Sequence, residues 1–243
     1  MSANETQPSL PATHAPSSAD GVPSPVRLVV LASGGGSNLL ALLEACQDRA
    51  YGARVVGVVV DRPCSAVEHA VAAGVPAVTV ALRGFADRAS WDLALTEAVA
   101  AFEPGLVVCA GFMKILGSAF LARFGGRTLN THPALLPCYP GAHAVRDALA
   151  DGATRSGATL FWVDAGVDTG SVIAQVEVPV LPDDDETSLT ARIKALETPQ
   201  LVREVGRLTL TTPPARHELP PQAPTTPAGR VQCPAASSAS SVR

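Results

Sequence analysis

The sequence predicts an α/β fold: an open, mostly parallel twisted sheet with helices on both faces, Rossmann-like in its N-terminal half. Three observations carry this. Short runs that are apolar throughout alternate with segments whose apolar residues recur at helical spacing, as strands buried on both faces require. A glycine loop, Ser33-Gly34-Gly35-Gly36-Ser37-Asn38, joins the first such run to the first helical segment. Near the C-terminal end the alternation gives way to two strand-like runs joined by an acidic loop. Such sheets bind ligands at the carboxyl ends of their strands.

Taken in order, residues 27–32 (Arg-Leu-Val-Val-Leu-Ala) read as a buried strand. Leu39, Leu42, Leu43 and Cys46 place a helix over 38–49. A Val-rich strand follows over 54–60, then a short helix over 65–73. Gly74-Val75-Pro76 turns the chain into a strand at 77–80. Residues 88–102 form a helix, 106–110 a fully apolar strand and 118–124 a short helix. A fifth strand, 127–130, leads into Asn130-Thr131-His132-Pro133-Ala134-Leu135-Leu136-Pro137. A helix over 142–150 precedes the two strands 157–163 and 171–178, and a helix over 187–208 closes the fold. Pro199 falls inside that helix, at a cost of about 3 kcal/mol unless the helix breaks there.

Both ends differ in character. Residues 1–25 are Ser-, Pro-, Ala- and Thr-rich, and 211–243 are Pro- and Ser-rich. Neither can offset its ordering entropy by burial, so both are expected to be disordered tails. The folded domain is placed at 26–210, with no internal repeat.

Composition sets limits on function. Apolar residues make up 47% of the 243, enough for a substantial core, and charged residues only 16%. The net charge is −4 and there is no basic run, which argues against a nucleic-acid partner. No apolar run reaches the roughly 18 residues of a membrane span. The start of the chain lacks the basic and apolar regions of a secretory signal. The five cysteines are scattered with no C-x-x-C pair, which reads as reduced thiols in a cytoplasmic protein. No His, Cys, Asp or Glu spacing suits a metal.

The glycine loop carries the first functional signal. Glycines allow positive φ, and the exposed N–H groups of such a loop can cradle an anion. Ser37 or Asn38 would cap the helix and donate to a phosphate oxygen. A dinucleotide motif fits Gly34 and Gly36, with Asp61 after the second strand as a ribose ligand, but Leu39 occupies its third glycine position. The Lys of a P-loop is absent. A single phosphomonoester fits best; a plain strand–helix turn is the alternative.

Asn130 and His132 carry the second signal. Two residues apart on an extended backbone, they point the same way. One can hold a carbonyl oxygen while the other handles a proton or charge. Pro133 and Pro137 fix the corner that follows. His143 at a helix start is a further candidate. So is Asp168 in Gly166-Val167-Asp168-Thr169-Gly170, with Asp164 as its rival in the same loop. Turn or cap chemistry is the alternative for each. Cys138, between Pro137 and Tyr139, lacks a helix N-terminus to activate it. An Asn, His and Asp set without a nucleophile suits direct group transfer to an amine. Such a step needs an oxyanion donor and a route for the amine's proton.

The glycine loop, Ala110-Gly111-Phe112-Met113-Lys114-Ile115-Leu116, the Asn130–Pro137 stretch and Gly166–Gly170 occur together and in order. In this the chain resembles the phosphoribosylglycinamide formyltransferases, folate-dependent enzymes of purine synthesis, over about residues 27–205. The resemblance implies 10-formyltetrahydrofolate as co-substrate, glycinamide ribonucleotide as acceptor, no metal, and a monomer or homodimer. It implies that Asn130 holds the formyl oxygen, His132 stabilises the developing oxyanion, and Asp168 orders a water that relays the amine's proton. Gly36, Ser37 and Asn38 match the phosphate-binding turn, Arg88 an arginine that reaches that phosphate, and Glu197 an acid that binds the ribose. Met113, Lys114, Ile115 and Leu116 match the wall that holds the pterin. Lys114 stands where the family often has Arg, Phe161 where it often has His, and Ser171 where it usually has Pro. A formyltetrahydrofolate deformylase and a non-catalytic folate- or nucleotide-binding relative are the competing readings. A methionyl-tRNA formyltransferase would need a further C-terminal domain and a basic surface.

Overall fold

In a computed structural model that describes residues 24–211 and Cys233, seven strands form one sheet in the order β3-β2-β1-β4-β5-β6-β7. The strands are β1 (Val26–Ala32), β2 (Ala53–Val60), β3 (Ala77–Thr79), β4 (Leu106–Cys109), β5 (Thr128–His132), β6 (Arg155–Trp162) and β7 (Val172–Pro179). The helices are α1 (Ser37–Ala45), α2 (Ser65–Ala72), α3 (Arg88–Ala100), α4 (Ser118–Phe124), α5 (Ala144–Ala150) and α6 (Glu186–Thr211). The first five strands are parallel; β6 is reversed and pairs antiparallel with both β5 and β7. This is the α/β architecture the sequence predicts. The two expected tails lie outside the described residues, Cys233 and the segment's edges aside.

Alternation along β1 explains the two layers. Leu28, Val30 and Ala32 pack with α1, α2 and the second half of α6, while Val29 and Leu31 pack with α3 and α4. The period of two along a strand sends neighbours to opposite faces. Trp91, Phe120 and Phe124 fill the second layer completely buried. A smaller cluster, Val145, Ala158, Val178, Leu189 and Ile193, joins α5 and α6 to the antiparallel end.

Strands β2 and β3 lie on one side of β1, and β4 and β5 on the other. The chain therefore reverses its direction of winding at the β1/β4 boundary, where a crevice opens at the carboxyl ends. The loops after these two strands are tied together there. Ser33 N–H donates to the Gly111 carbonyl at 3.1 Å, and Met113 N–H to Ser33 Oγ at 2.8 Å.

Three sequence expectations are corrected. Helix α6 does not break at Pro199; it runs 26 residues through it. Leu201 and Val205, beyond the proline, are essentially fully buried in the β1 layer. Tyr51 Oη donates to the Val202 carbonyl at 2.7 Å, and Thr209 Oγ1 to the Tyr51 carbonyl at 3.1 Å. Burial worth about 1.5–3 kcal/mol for each apolar side chain outweighs a proline cost of about 3 kcal/mol. Strand β5 extends through His132, beyond the expected end at 130, because β6 pairs antiparallel with it as far as His132–Thr159. The cysteines are not all thiols: Cys138 and Cys233 form a disulfide, with Cα atoms 5.7 Å apart across a separation of 95 residues. Spacing motifs mark local pairs, and a link this long leaves none.

Candidate active site

The first wall of the site is the loop after β4. Met113, Lys114, Ile115 and Leu116 line a cavity of about 370 Å³ together with Asn130, His132, Phe161, Val163 and Asp168. Met113 and Ile115 expose more than half of their side-chain surface, and Val167 about half. Large apolar groups held open beside a cavity are ready to cover a flat ring. Leu116 is buried and anchors the loop in the α3/α4 layer. Asp92 fixes the loop's far end: its carboxylate accepts N–H bonds from Gly117 (2.8 Å), Ala119 (2.9 Å) and Phe120 (3.2 Å), the unpaired donors of the first turn of α4.

The polar end of the cavity comes from β5 and the loop between β6 and β7. His132 is 4% exposed. Its Nε2 lies 2.8 Å from the Tyr139 carbonyl. A carbonyl can only accept, so Nε2 carries a proton and the other ring nitrogen faces the acid. That nitrogen, Nδ1, lies 3.4 Å from Asp168 Oδ2. The same oxygen accepts the Gly141 N–H at 2.8 Å. Asp168 has φ of 54°, a left-handed backbone that presents its side chain inward at some strain. The rival Asp164 performs the turn chemistry: its Oδ1 accepts from Gly166 N–H (3.0 Å) and Thr169 Oγ1 (2.8 Å). Both acids line the cavity, but Asp168 is the one beside His132. The carboxamide of Asn130 makes no hydrogen bond among the described residues and lines the same cavity.

A buried network holds the corner in shape. Thr159, opposite His132 across the β5/β6 pairing, donates to the Ala134 carbonyl at 2.6 Å and accepts from Leu136 N–H at 3.0 Å. Gln175 Nε2 reaches both the Leu136 carbonyl (2.8 Å) and Thr159 Oγ1 (2.9 Å). The Leu136–Pro137 bond is cis. Sequence reading missed Thr159 and Gln175, since a lone Thr and Gln on alternating strands carry no motif.

The glycine loop lies at the carboxyl end of β1. Gly34, Gly35 and Ser37 are exposed and Gly36 half-buried. Gly36 has φ of 72°, and a Cβ there would stand 2.9 Å from Ala66 Cα of α2, so only glycine fits. His69 Nε2 meets the Gly35 carbonyl at 3.1 Å. Two details differ from the sequence reading. The helix cap is Gly36, with no side-chain cap bond, because Ser37 is already the first helical residue. The Asn38 side chain is turned inward: Nδ2 donates to Glu197 Oε1 at 2.7 Å, and Oδ1 accepts from Thr198 Oγ1 at 2.6 Å. What Asn38 and Gly36 offer an anion is backbone N–H, with Ser37 supplying a hydroxyl. Glu197 is 6% exposed and stands behind the loop.

Arg88 opens α3 and lies against the cavity wall. Its Nη2 donates to the Ile115 carbonyl, and its guanidinium stacks 5.3 Å over the Trp91 ring. Lys114 Nζ lies 3.4 Å from Asp61 Oδ2. Asp61 is thus committed to cations rather than poised for a ribose. His143 caps α5 without a side-chain bond and does not join the His132–Asp168 pair. Among the described residues no cluster of three or more His, Cys, Asp or Glu could hold a metal ion, and no helix is long and apolar enough to cross a membrane.

The chain matches the formyl transferase family over residues 26–205. It is 58% identical over 185 residues to the phosphoribosylglycinamide formyltransferase of Mycobacterium tuberculosis, covering 76% of this chain and 86% of that one. With the phosphoribosylglycinamide formyltransferase of Escherichia coli it shares 39% over 173 residues, 71% of this chain and 82% of that one. Among solved structures, glycinamide ribonucleotide transformylase 1 from Symbiobacterium toebii superimposes with a TM-score of 0.76 at 36% identity, covering 80% of this chain and 93% of that chain.

Proposed function

The chain belongs to the formyl transferase family, and from that premise we propose that it moves the formyl group of 10-formyltetrahydrofolate to the amine of glycinamide ribonucleotide. The product is N-formylglycinamide ribonucleotide, a step of de novo purine (IMP) synthesis in the cytoplasm. The observation that carries this reading is the uncommitted Asn130 carboxamide beside the His132–Asp168 pair, in one cavity walled by Met113 to Leu116. The curated relatives at 58% and 39% identity carry the same activity in their names.

The residues divide the work. Backbone N–H groups of Gly36 to Asn38 and the Ser37 hydroxyl receive the ribonucleotide phosphate, and Glu197 supports the ribose end. Met113, Lys114, Ile115 and Leu116 form the wall that holds the pterin, and Arg88 reaches the ribonucleotide phosphate. The amine attacks the formyl carbon; a C–N bond forms, and the carbonyl oxygen gains negative charge. Asn130 and His132 stabilise that oxyanion, for which a donor of this kind contributes about 2.7–4 kcal/mol. As the tetrahedral centre collapses, the bond to the folate nitrogen breaks. The proton lost by the amine passes through a water held by Asp168 to that leaving nitrogen. No covalent enzyme intermediate is needed. Holding both substrates in contact supplies much of the rate, up to about 7–11 kcal/mol for ideal alignment.

The deciding assay incubates the protein with 10-formyltetrahydrofolate, with and without glycinamide ribonucleotide. Folate turnover only with the amine is the expected result. Turnover without it would make the protein a deformylase, and binding without turnover a non-catalytic relative. Asn130→Ala and His132→Ala are expected to lower kcat at least a hundredfold, the cost of one lost oxyanion donor, while melting within a few degrees of the parent. Near-normal transfer by the double variant would overturn the assignment.

A further inference from the structure

Helix α2 stands behind the glycine loop. Its residues Ala66 and His69 lie one turn apart on the same face. That face presses on Gly36: a Cβ there would stand 2.9 Å from Ala66 Cα and 3.0 Å from His69 Cδ2. The same two residues hold two successive carbonyls of the loop. Ala66 N–H, one of the unpaired donors of a first helical turn, reaches the Gly34 carbonyl at 3.3 Å. His69 Nε2 lies 3.1 Å from the Gly35 carbonyl, and since a carbonyl only accepts, Nε2 is the donor. In a trans peptide the C=O and the N–H that follows it lie in one plane and point in opposite directions. Holding the Gly34 and Gly35 carbonyls against α2 therefore turns the N–H groups of Gly35 and Gly36 away from it. Neither N–H has a hydrogen-bond partner among the described residues. Ala66 acts through its backbone, which almost any residue would supply. His69 acts through its side chain, a half-buried ring.

We propose that His69 is a positioning residue for the ribonucleotide phosphate: its bond to the Gly35 carbonyl aims the Gly36 N–H at the anion. The inference rests on the proposed function, in which this loop receives that phosphate. A Cβ at Gly34 or at Gly35 would meet nothing within 4 Å, so no packing limits how their peptide planes turn. Glycine gives such a plane more freedom than any other residue. Successive N–H groups cradle an anion only while they converge on it. Fixing the plane before the phosphate arrives removes an ordering cost from binding. The ring nitrogen is committed to the carbonyl, so His69 works through Gly36, and its effect falls on phosphate affinity rather than on the formyl step.

The experiment compares the parent with His69→Leu and His69→Gln. Calorimetry gives the affinity for glycinamide ribonucleotide; steady-state assays give kcat, both KM values, and the inhibition constant of inorganic phosphate competing with the ribonucleotide. Leu fills the space without a donor, and Gln returns an N–H to nearly the same place. His69→Leu is expected to weaken the ribonucleotide and inorganic phosphate by the same factor, about three- to tenfold, the worth of one neutral hydrogen bond, with kcat and the folate KM within about twofold of the parent. His69→Gln is expected to recover most of that loss. Parent-like affinity in His69→Leu, an equal loss in both variants, or a loss for the ribonucleotide without one for phosphate would overturn the role. A parent that does not bind the ribonucleotide would instead count against the proposed function, because that arm carries no substitution.

Discussion

Replacing Asp92 with Ala tests how the cavity wall is held. Asp92 lies within α3 and is 4% exposed. Its two oxygens take three N–H groups from the start of α4, which has Gly117 as its cap and no side-chain cap of its own. A Cβ on Gly117 would stand 2.5 Å from that carboxylate, so the two elements are in direct contact. Hydrogen bonds to a charged acceptor contribute about 1.5–3 kcal/mol each, and they are not additive. Ala leaves three donors without a partner and opens a small void, giving an expected loss of about 3–5 kcal/mol. Asn keeps one acceptor oxygen and should lose roughly half as much. Urea unfolding measures both. Because Gly117 directly follows Leu116, the loosened loop should also raise the KM for folate at least fivefold while the KM for the ribonucleotide stays within twofold. A loss below about 1 kcal/mol for Ala, with an unchanged folate KM, would refute the claim that Asp92 builds the wall.

Gly170→Ala would place a Cβ 1.6 Å from the Trp162 carbonyl oxygen, so the loop carrying Asp168 must move; kcat is expected to fall at least tenfold with melting little changed, as steady-state kinetics and calorimetry will show. Acid should destabilise the fold through carboxylates held below their usual range. Arg192 and the Leu181 N–H hold Asp184 down, and at Asp61 the Arg62 and Ser33 hydrogen bonds and the Lys114 charge outweigh the opposing effect of burial. A depressed folded-state value gives stability that is present above the unfolded value, about 4, and is lost as pH falls through the folded one. Melting temperature should therefore drop steeply below about pH 4, and Asp184→Asn should flatten that limb; a flat profile down to pH 2 in the parent would contradict it. Under native, non-reducing alkylation, Cys109, buried and with its thiol pushed up to about 12 by burial, should react last of the free cysteines. Cys138 and Cys233 should react only after reduction, which peptide mass mapping resolves.

Much of this was legible because each element was locally consistent. Val58, Val59 and Val60 are fully buried, and an unbroken apolar run is what a strand covered on both faces must have. The Asn130–Pro137 and Gly166–Gly170 motifs named the site because its groups sit on strand ends and tight loops. The residues alone left Asp168 and Asp164 as rivals and the resemblance pointed to Asp168; the fold adds that Asp168 is the one beside His132. The Asn38–Glu197 contact joins residues on α1 and α6 and was invisible for the same reason. Pro199 misled because a propensity counts the missing N–H but not the Leu201 and Val205 burial that offsets it.

On the proposed function, the topology lets one sheet hold two large substrates in contact. The glycine loop proposed to receive the phosphate follows β1, the apolar wall follows β4, and Asn130 and His132 lie on β5, three strands that are neighbours in space. In the proposed function, two substrates entering from these positions would meet at the carboxyl end of β4. Ser33 ties the first two loops together, and the Thr159–Gln175 network fixes the third. Direct transfer asks for this arrangement rather than for a reactive nucleophile. An attacking amine and an electrophilic carbon need mutual alignment, a donor for the oxyanion and a path for one proton, and none of these gains from a covalent detour. The strain at Asp168, φ 54°, falls at the one residue that must approach both the imidazole and the Gly141 amide. Its loop is held from β6 by the Trp162–Ser171 backbone bond and by the tight approach of Gly170 to Trp162. The rigidity the proposed chemistry needs is therefore built into the antiparallel end of the sheet, while the parallel end carries the glycine loop proposed for the phosphate.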